Sequence, residues 1–239
     1  MDNVEEFKKI IDESNNIVFF GGAGVSTESG IPDFRSKDGL YNQRYKYPPE
    51  VILSHTFFMN ETKEFYIFYK DKLNALKYDP NITHIKLAEL EKAGKLKAIV
   101  TQNIDGLHQK AGSENVFELH GSIYRNYCMK CKKFYGPEKI FNENEEIPIC
   151  ESCGGIIKPD VVLYEEGLDD EIVSGAIKAI ASCDTLIVAG TSLTVYPASG
   201  LIRYFKGKNL ILINRDSTSF DYMASIVIHD SLGKVFGNI

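Results

Sequence analysis

Residues 17–27 read Ile17-Val18-Phe19-Phe20-Gly21-Gly22-Ala23-Gly24-Val25-Ser26-Thr27. Four consecutive apolar residues running into glycines form a strand buried on both faces, followed by a tight turn. Glycines let a backbone close on phosphate oxygens, and a helix after them offers free N–H groups to an anion. The turn departs from G-x-G-x-x-G, because Thr27 holds the third glycine position counted from Gly22. A dehydrogenase also needs an acid about 20 residues on, at the end of a second strand. That region here is the proline-containing loop Gly30-Ile31-Pro32-Asp33-Phe34-Arg35. A phosphate cradle is expected, and hydride transfer is not.

Outward from this strand, short apolar runs alternate with helical patterns. Strands are expected at 96–101, 116–119, 161–164, 185–189, 209–214 and 226–228. Helices are expected near 4–11 and over 81–94, 169–182 and 198–205. Continuous Val/Ile/Leu strands spaced by helices indicate a parallel sheet covered on both faces. The expected class is α/β, a Rossmann-like doubly wound parallel sheet whose ligands sit at the carboxyl ends of strands. Two stretches break the alternation. Residues 36–79 carry Phe57, Phe58, Phe65, Tyr66, Phe68 and Tyr69 at helical spacing, and 124–156 carry four cysteines. The division expected is a nucleotide-binding domain of 1–35, 80–123 and 157–239. A smaller inserted domain joins a helical module, 36–79, to a zinc ribbon, 124–156.

The chain has 239 residues, 44% hydrophobic and 25% charged, with a net charge of −6. This is the balance of a globule, and it lacks the basic surplus that holds a nucleic-acid backbone. No apolar run approaches the ~20 residues that cross a bilayer. The acidic start, Met1 to Glu6, has no signal-peptide pattern, so a cytoplasmic location is expected.

Cys128-x-x-Cys131 and Cys150-x-x-Cys153 are separated by 18 residues. Two such knuckles suit one tetrahedral zinc, and four sulfur ligands leave no open position, so the metal is expected to be structural. Cys183, before an apolar strand, reads as a small buried residue.

Polar residues crowd the expected strand ends. Thr101-Gln102-Asn103-Ile104-Asp105-Gly106-Leu107-His108 follows one strand and Glu118-Leu119-His120-Gly121 another. Thr191-Ser192 and Asn214-Arg215-Asp216 follow two more. Asn103 and Asp105 are also good helix caps. On spacing alone, His108 and His120 compete equally as a general base.

Together with Gly22-Ala23-Gly24-Val25-Ser26 and Gly190-Thr191-Ser192-Leu193, these motifs resemble the sirtuins, NAD-dependent protein-lysine deacylases, in their compact bacterial form. The motifs stand in family order from residue 20 to 216. The resemblance implies NAD as cosubstrate and one structural zinc. It also implies acetyl-lysine proteins or peptides as substrates, no membrane or primary nucleic-acid partner, and a monomer. It places Ala23, Thr27 and Arg35 on the phosphates of NAD and Ser192 and Asn214 on its adenosine half. Phe34 would shield the ribosyl face; Ile104 and Asp105 would line the nicotinamide pocket. Asn103 would position a ribose hydroxyl or water, and Gln102 would contact the same ribose. Gly22, Gly24, Asp33, Gly190, Thr191, Arg215 and Ser231 complete the implied cofactor set. Of the two histidines, the resemblance selects His120 as the base that takes a proton from the ribose hydroxyls. Implied products are nicotinamide, free lysine and 2′-O-acyl-ADP-ribose.

The peptide would add as a strand between 161–166 and 193–196, a main-chain mode that tolerates many side chains. Where such proteins commonly carry Phe-Gly-Glu or Tyr-Gly-Glu, this chain has Tyr164-Glu165-Glu166. Relatives that remove succinyl or malonyl groups carry Tyr-x-x-Arg on the cap helix. Residues 65–72 hold no arginine, and Tyr69-x-x-Lys72 is an imperfect echo without the bidentate fork. Acetyl and longer apolar acyl groups are expected. The rival readings are mono-ADP-ribosyl transfer from the same NAD site and a zinc-ribbon binding module carrying Lys130, Lys132, Lys133 and Lys139.

Overall fold

A computed structural model of the chain describes residues 3–34, Gly39 and 46–239. Arg35 lies outside the described residues. The chain begins with α1 (Asn3–Glu13) and β1 (Ile17–Gly21), all five strand residues being buried. Two 3₁₀ turns, Ala23–Val25 and Thr27–Ser29, stand where a helix was expected after the glycines. The left-handed Gly30, at φ +94°, ends the second turn before a helix can propagate.

Next come α2 (Pro49–Ile52), α3 (His55–Asn60) and α4 (Thr62–Lys72), the first excursion. The chain returns through α5 (Ile82–Lys92), β2 (Leu96–Thr101), α6 (Leu107–Lys110) and β3 (Val116–Glu118). The second excursion holds β4 (Gly121–Cys128), β5 (Phe134–Tyr135), α7 (Pro137–Ile140) and β6 (Ile157–Val161). Then follow α8 (Asp170–Ser182), β7 (Thr185–Ala189), β8 (Asn209–Ile213), β9 (Ile226–Ile228) and α9 (Leu232–Phe236). Residues Ala198–Tyr204 form a 3₁₀ helix instead of the expected α-helix.

Six strands make one sheet in the order β3-β2-β1-β7-β8-β9, every neighbouring pair parallel. This is the doubly wound sheet the apolar runs implied. Alternate residues of β1 feed opposite faces: Ile17 and Phe19 pack with Phe7, Leu87 and Phe236, while Val18 and Phe20 pack with Ala176, Ile180 and Leu201. Strand order reverses between β1 and β7, and a doubly wound sheet opens its ligand crevice at such a point.

The strand expected at 161–164 is not part of this sheet. The chain instead pairs Ile157–Val161 antiparallel to β4 in a three-stranded sheet, β5-β4-β6. Its burial alternates, with Ile157, Pro159 and Val161 in and Lys158 and Asp160 less so. That period of two marks a strand with one covered face. The aromatic helices and the cysteine-bearing strands share a single apolar cluster. Phe58, Phe65, Tyr66 and Tyr69 pack there with Ile123, Ile140 and Ile157.

Candidate active site

The carboxyl ends of β1, β2 and β7 and the inner edge of the small sheet enclose a cavity of about 490 Å³. Its first wall is a pair of turns that touch. Gly24 N–H donates to Gly190 O at 2.8 Å. A Cβ on Gly24 would sit 2.8 Å from Gly190 Cα, and one on Gly190 would sit 2.5 Å from Val25 N. Gly190 is also left-handed, at φ +60°. Neither position admits a side chain, so two backbones form a cradle at the switch point. Gly22 lies behind this cradle, where a Cβ would meet Thr191 Cβ at 2.7 Å.

The cavity is lined by Ala23, Gly24, Thr27, Asp33 and Phe34 from the first loop. Gln102, Asn103, Ile104, Asp105 and His120 line its floor. Gly190, Thr191, Ser192, Asn214, Arg215 and Ser231 line the far side. Arg215 reaches back to Asp33 at 3.6 Å. His108 is elsewhere, wholly buried against Phe19 and His84. Of the two histidines, only His120 lines the cavity.

The floor is built on a chain of donors. Asn103 Nδ2 donates to Ser26 Oγ at 3.1 Å, and Ser26 Oγ donates to Asp105 Oδ2 at 2.6 Å. Leu107 N–H donates to Asp105 Oδ1 at 2.9 Å. Burial raises the Asp105 carboxyl above its usual range, opposed by the Ser26 and Leu107 hydrogen bonds. Ser26 is 1% exposed and ties the Asn103 and Asp105 side chains together. Its position within the first motif was visible in the sequence, but its partners lie 77 and 79 residues away.

His120 Nδ1 lies 2.9 Å from Gln102 O. A carbonyl only accepts, so Nδ1 carries the proton and Nε2 keeps its lone pair. Burial lowers the imidazole below 6.5, with the Gln102 bond acting the other way. His120 is therefore held in its neutral form, with one tautomer fixed by Gln102 O.

The four cysteine sulfurs lie within 4.8 Å of one another. Cys128 and Cys153 Sγ are 3.4 Å apart, and Cys131 and Cys150 Sγ 3.6 Å. A tetrahedron with Zn–S bonds of 2.3 Å has edges of about 3.8 Å, so the cluster fits one zinc. Tyr135 Oη donates to Cys150 Sγ at 3.1 Å, a bond that favours the thiolate a metal needs. The cluster shares none of the cavity's lining residues, which agrees with a structural metal.

A family model for Sir2 proteins matches residues 22–197. The chain belongs to the Sir2 family. A relative from Clostridium acetobutylicum named NAD-dependent protein deacetylase is 61% identical over all of this chain and 98% of that protein. The Clostridium perfringens protein of the same name has the same identity and coverage. Among solved structures, one described as Sir2-p53 peptide-NAD+ is 36% identical with a TM-score of 0.87, covering 98% of this chain and 96% of that one. The imperfect echo of Tyr-x-x-Arg is not a pair on the cavity wall in this chain. Tyr69 is fully buried and only Lys72 of the Tyr69-x-x-Lys72 pair lines the cavity.

Proposed function

We propose that this chain is an NAD-dependent protein-lysine deacetylase. The observation that carries the reading is His120 on the cavity floor, its tautomer set by Gln102 O and its Nε2 left as the basic atom. The two-backbone cradle of Gly24 and Gly190 fits the phosphates of NAD, since phosphate oxygens can approach where no Cβ intervenes. When bound, NAD supplies a ribosyl carbon that loses nicotinamide and hydroxyls that receive the acyl group.

The chain's residues bind, orient and move protons. Ala23, Thr27 and Arg35 take the phosphate side; Gly22 and Gly24 let the backbone close on it. Thr191, Ser192, Asn214, Arg215 and Ser231 hold the adenosine half. Asp105 accepts from the carboxamide N–H, and Asn103, held by Ser26, orients a ribose hydroxyl or a water. Gln102 contacts the same ribose. Phe34 covers the ribosyl face against water, which matters because a cation-like centre reacts with any solvent that reaches it. His120 Nε2 takes the proton from a ribose hydroxyl, help of the kind worth about 10²–10⁴-fold. The acyl-lysine peptide lies between 161–166 and 193–196.

Lys72 lacks the fork that grips a second carboxylate and pairs with Asp71 at 2.9 Å, which favours acetyl and apolar acyl groups over succinyl. The separate helical and zinc modules close over the cofactor domain as one unit. A cluster of four thiols supports a reducing, cytoplasmic setting. Among the described residues no helix is long and apolar enough to cross a membrane.

The test is incubation of the zinc-loaded chain with NAD and an acetyl-lysine peptide, followed by mass analysis. The expected products are nicotinamide, free lysine and 2′-O-acetyl-ADP-ribose. Intact NAD, or ADP-ribose attached to the peptide, overturns the reading.

A further inference from the structure

Glu165 occupies a left-handed backbone conformation, at φ +76°. A non-glycine residue rarely holds this geometry unless its surroundings fix it. Those surroundings are the first turn of α3. Tyr164 N–H donates to Leu53 O at 2.9 Å, and His55 N–H donates to Tyr164 O at 3.0 Å. Thr56 N–H donates to Glu165 Oε2 at 2.8 Å. Phe57 N–H goes to the cap residue Ser54, at 3.1 Å. The first three N–H groups of a helix have no partner within it. In α3 two of the three are satisfied by residues 164 and 165. Glu166 adds a fourth tie, lying 2.8 Å from His55 Nδ1, and is itself held by Leu163 N–H at 2.9 Å and Lys158 Nζ at 3.1 Å.

Residues 163–166 line the cavity. The side chain that replaces the usual glycine is thus engaged on a helix amide, and that bond holds its carboxyl below the usual range. A carboxylate placed simply to read peptide charge would not need this bond, and a neutral drift would not complete a helix cap. We propose that Glu165 is a positioning residue that clamps the peptide-binding wall to α3 and so sets affinity for the acyl peptide without touching the reacting atoms. The inference rests on the deacetylase reading above, in that the wall is taken to bind peptide. A clamp of this kind acts on all peptides alike, because main-chain pairing depends on where the wall stands and not on the side chains it meets.

The experiment compares Glu165→Gln, Glu165→Ala and Glu165→Gly in the full, zinc-loaded chain. Steady-state kinetics use acetyl-lysine peptides with neutral, basic and acidic flanks, and amide exchange at Thr56 is followed on the protein without substrate. Glu165→Ala loses the tie and keeps the strain. It should raise peptide KM about tenfold for every peptide, the size of one charge-assisted hydrogen bond. Its kcat and its KM for NAD should stay within about twofold, and Thr56 exchange should accelerate. Glu165→Gly relieves the strain and should fall between. Glu165→Gln keeps an acceptor oxygen and should rescue both KM and protection.

Peptide KM unmoved in Glu165→Ala overturns the proposal, as does a Glu165→Gln variant as impaired as Glu165→Ala. A changed ranking of basic against acidic peptides in Glu165→Gln would make Glu165 a charge reader instead. If the parent chain turns over no peptide, the deacetylase reading fails by itself. The Thr56 exchange measurement then still decides whether Glu165 holds the wall.

Discussion

Arg125 Nη1 lies 2.5 Å from Oε2 of Glu118, which stands two residues before His120. The same guanidinium donates through Nε to Asp160 at 2.8 Å. Glu118 ends β3 of the parallel sheet, while Arg125 and Asp160 stand on β4 and β6 of the small sheet. One side chain therefore pins both sheets on either side of the turn that presents His120. Glu118 is 8% exposed, so removing its partner leaves a nearly buried charge. Arg125→Met should destabilise the protein by about 1–3 kcal/mol, below the fully buried case because Arg125 itself is partly solvated. Calorimetry checks the stability. The lost alignment should appear as lower kcat with little change in KM for NAD, which steady-state kinetics measures.

His120 must be neutral to accept a proton, and burial holds its imidazole below 6.5. The rate should be level through neutral pH and fall with unit slope on the acid side, with the midpoint below 6.5. A kcat/KM profile from pH 5 to 9 tests this (roughly the range where histidine titrates). His120→Ala should remove the acid limb and at least about 10²–10⁴-fold of the rate while leaving the melting temperature near the parent value.

His108 and His84 face each other at 4.8 Å between ring centroids beneath the β2 loop. Neither ring nitrogen of His108 has a partner among the described residues, and burial pushes its imidazole well below 6.5 and that of His84 down to about 4. A histidine kept neutral in the fold binds its proton more readily in the unfolded chain. Stability should be full above pH 6.5 and decline as pH falls from there toward 4. His108→Phe removes two unsatisfied nitrogens while keeping ring shape. Its melting temperature at pH 7 should equal or exceed the parent's, and the decline at acid pH should be shallower.

One zinc per chain should be released by a thiol-reactive mercurial and detected with a colorimetric chelator. Cys150→Ser should bind no zinc and lose the cooperative melting of the small sheet, while the parallel sheet keeps its own core. Tyr135→Phe deletes only the hydroxyl that meets Cys150 Sγ. It should retain stoichiometric zinc yet release it about 10-fold faster to a chelator, the lower end of what outer-shell partners contribute.

The strands at 96–101 and 185–189 were legible to the residue, because parallel strands buried on both faces are written as apolar runs, broken in the first only by the exposed Lys97. The strand over 157–161 was not, since its lysine, proline and aspartate hid a period of two behind the apolar run that follows. The missing helix after Gly24 had a signal in Gly30, whose left-handed role could be read only from the backbone. Most residues that line the cavity were legible because they sit in compact motifs at strand ends. Ser26 and Arg125 escaped assignment for one shared reason: each acts through partners that the fold alone brings near. Tyr69 was legible, its helical spacing with Phe65 and Tyr66 placing it in the aromatic core and not on the cavity.

β4 starts at Gly121, directly after His120, and ends at Cys128, a sulfur of the metal cluster. His120 on the cavity and a cysteine of the thiol cluster thus flank one strand, eight residues long and irregular between Ser122 and Asn126. Stripping the thiol cluster of its metal would loosen that strand at the end remote from the cavity, so a metal chelator should slow turnover without touching any residue that lines the pocket.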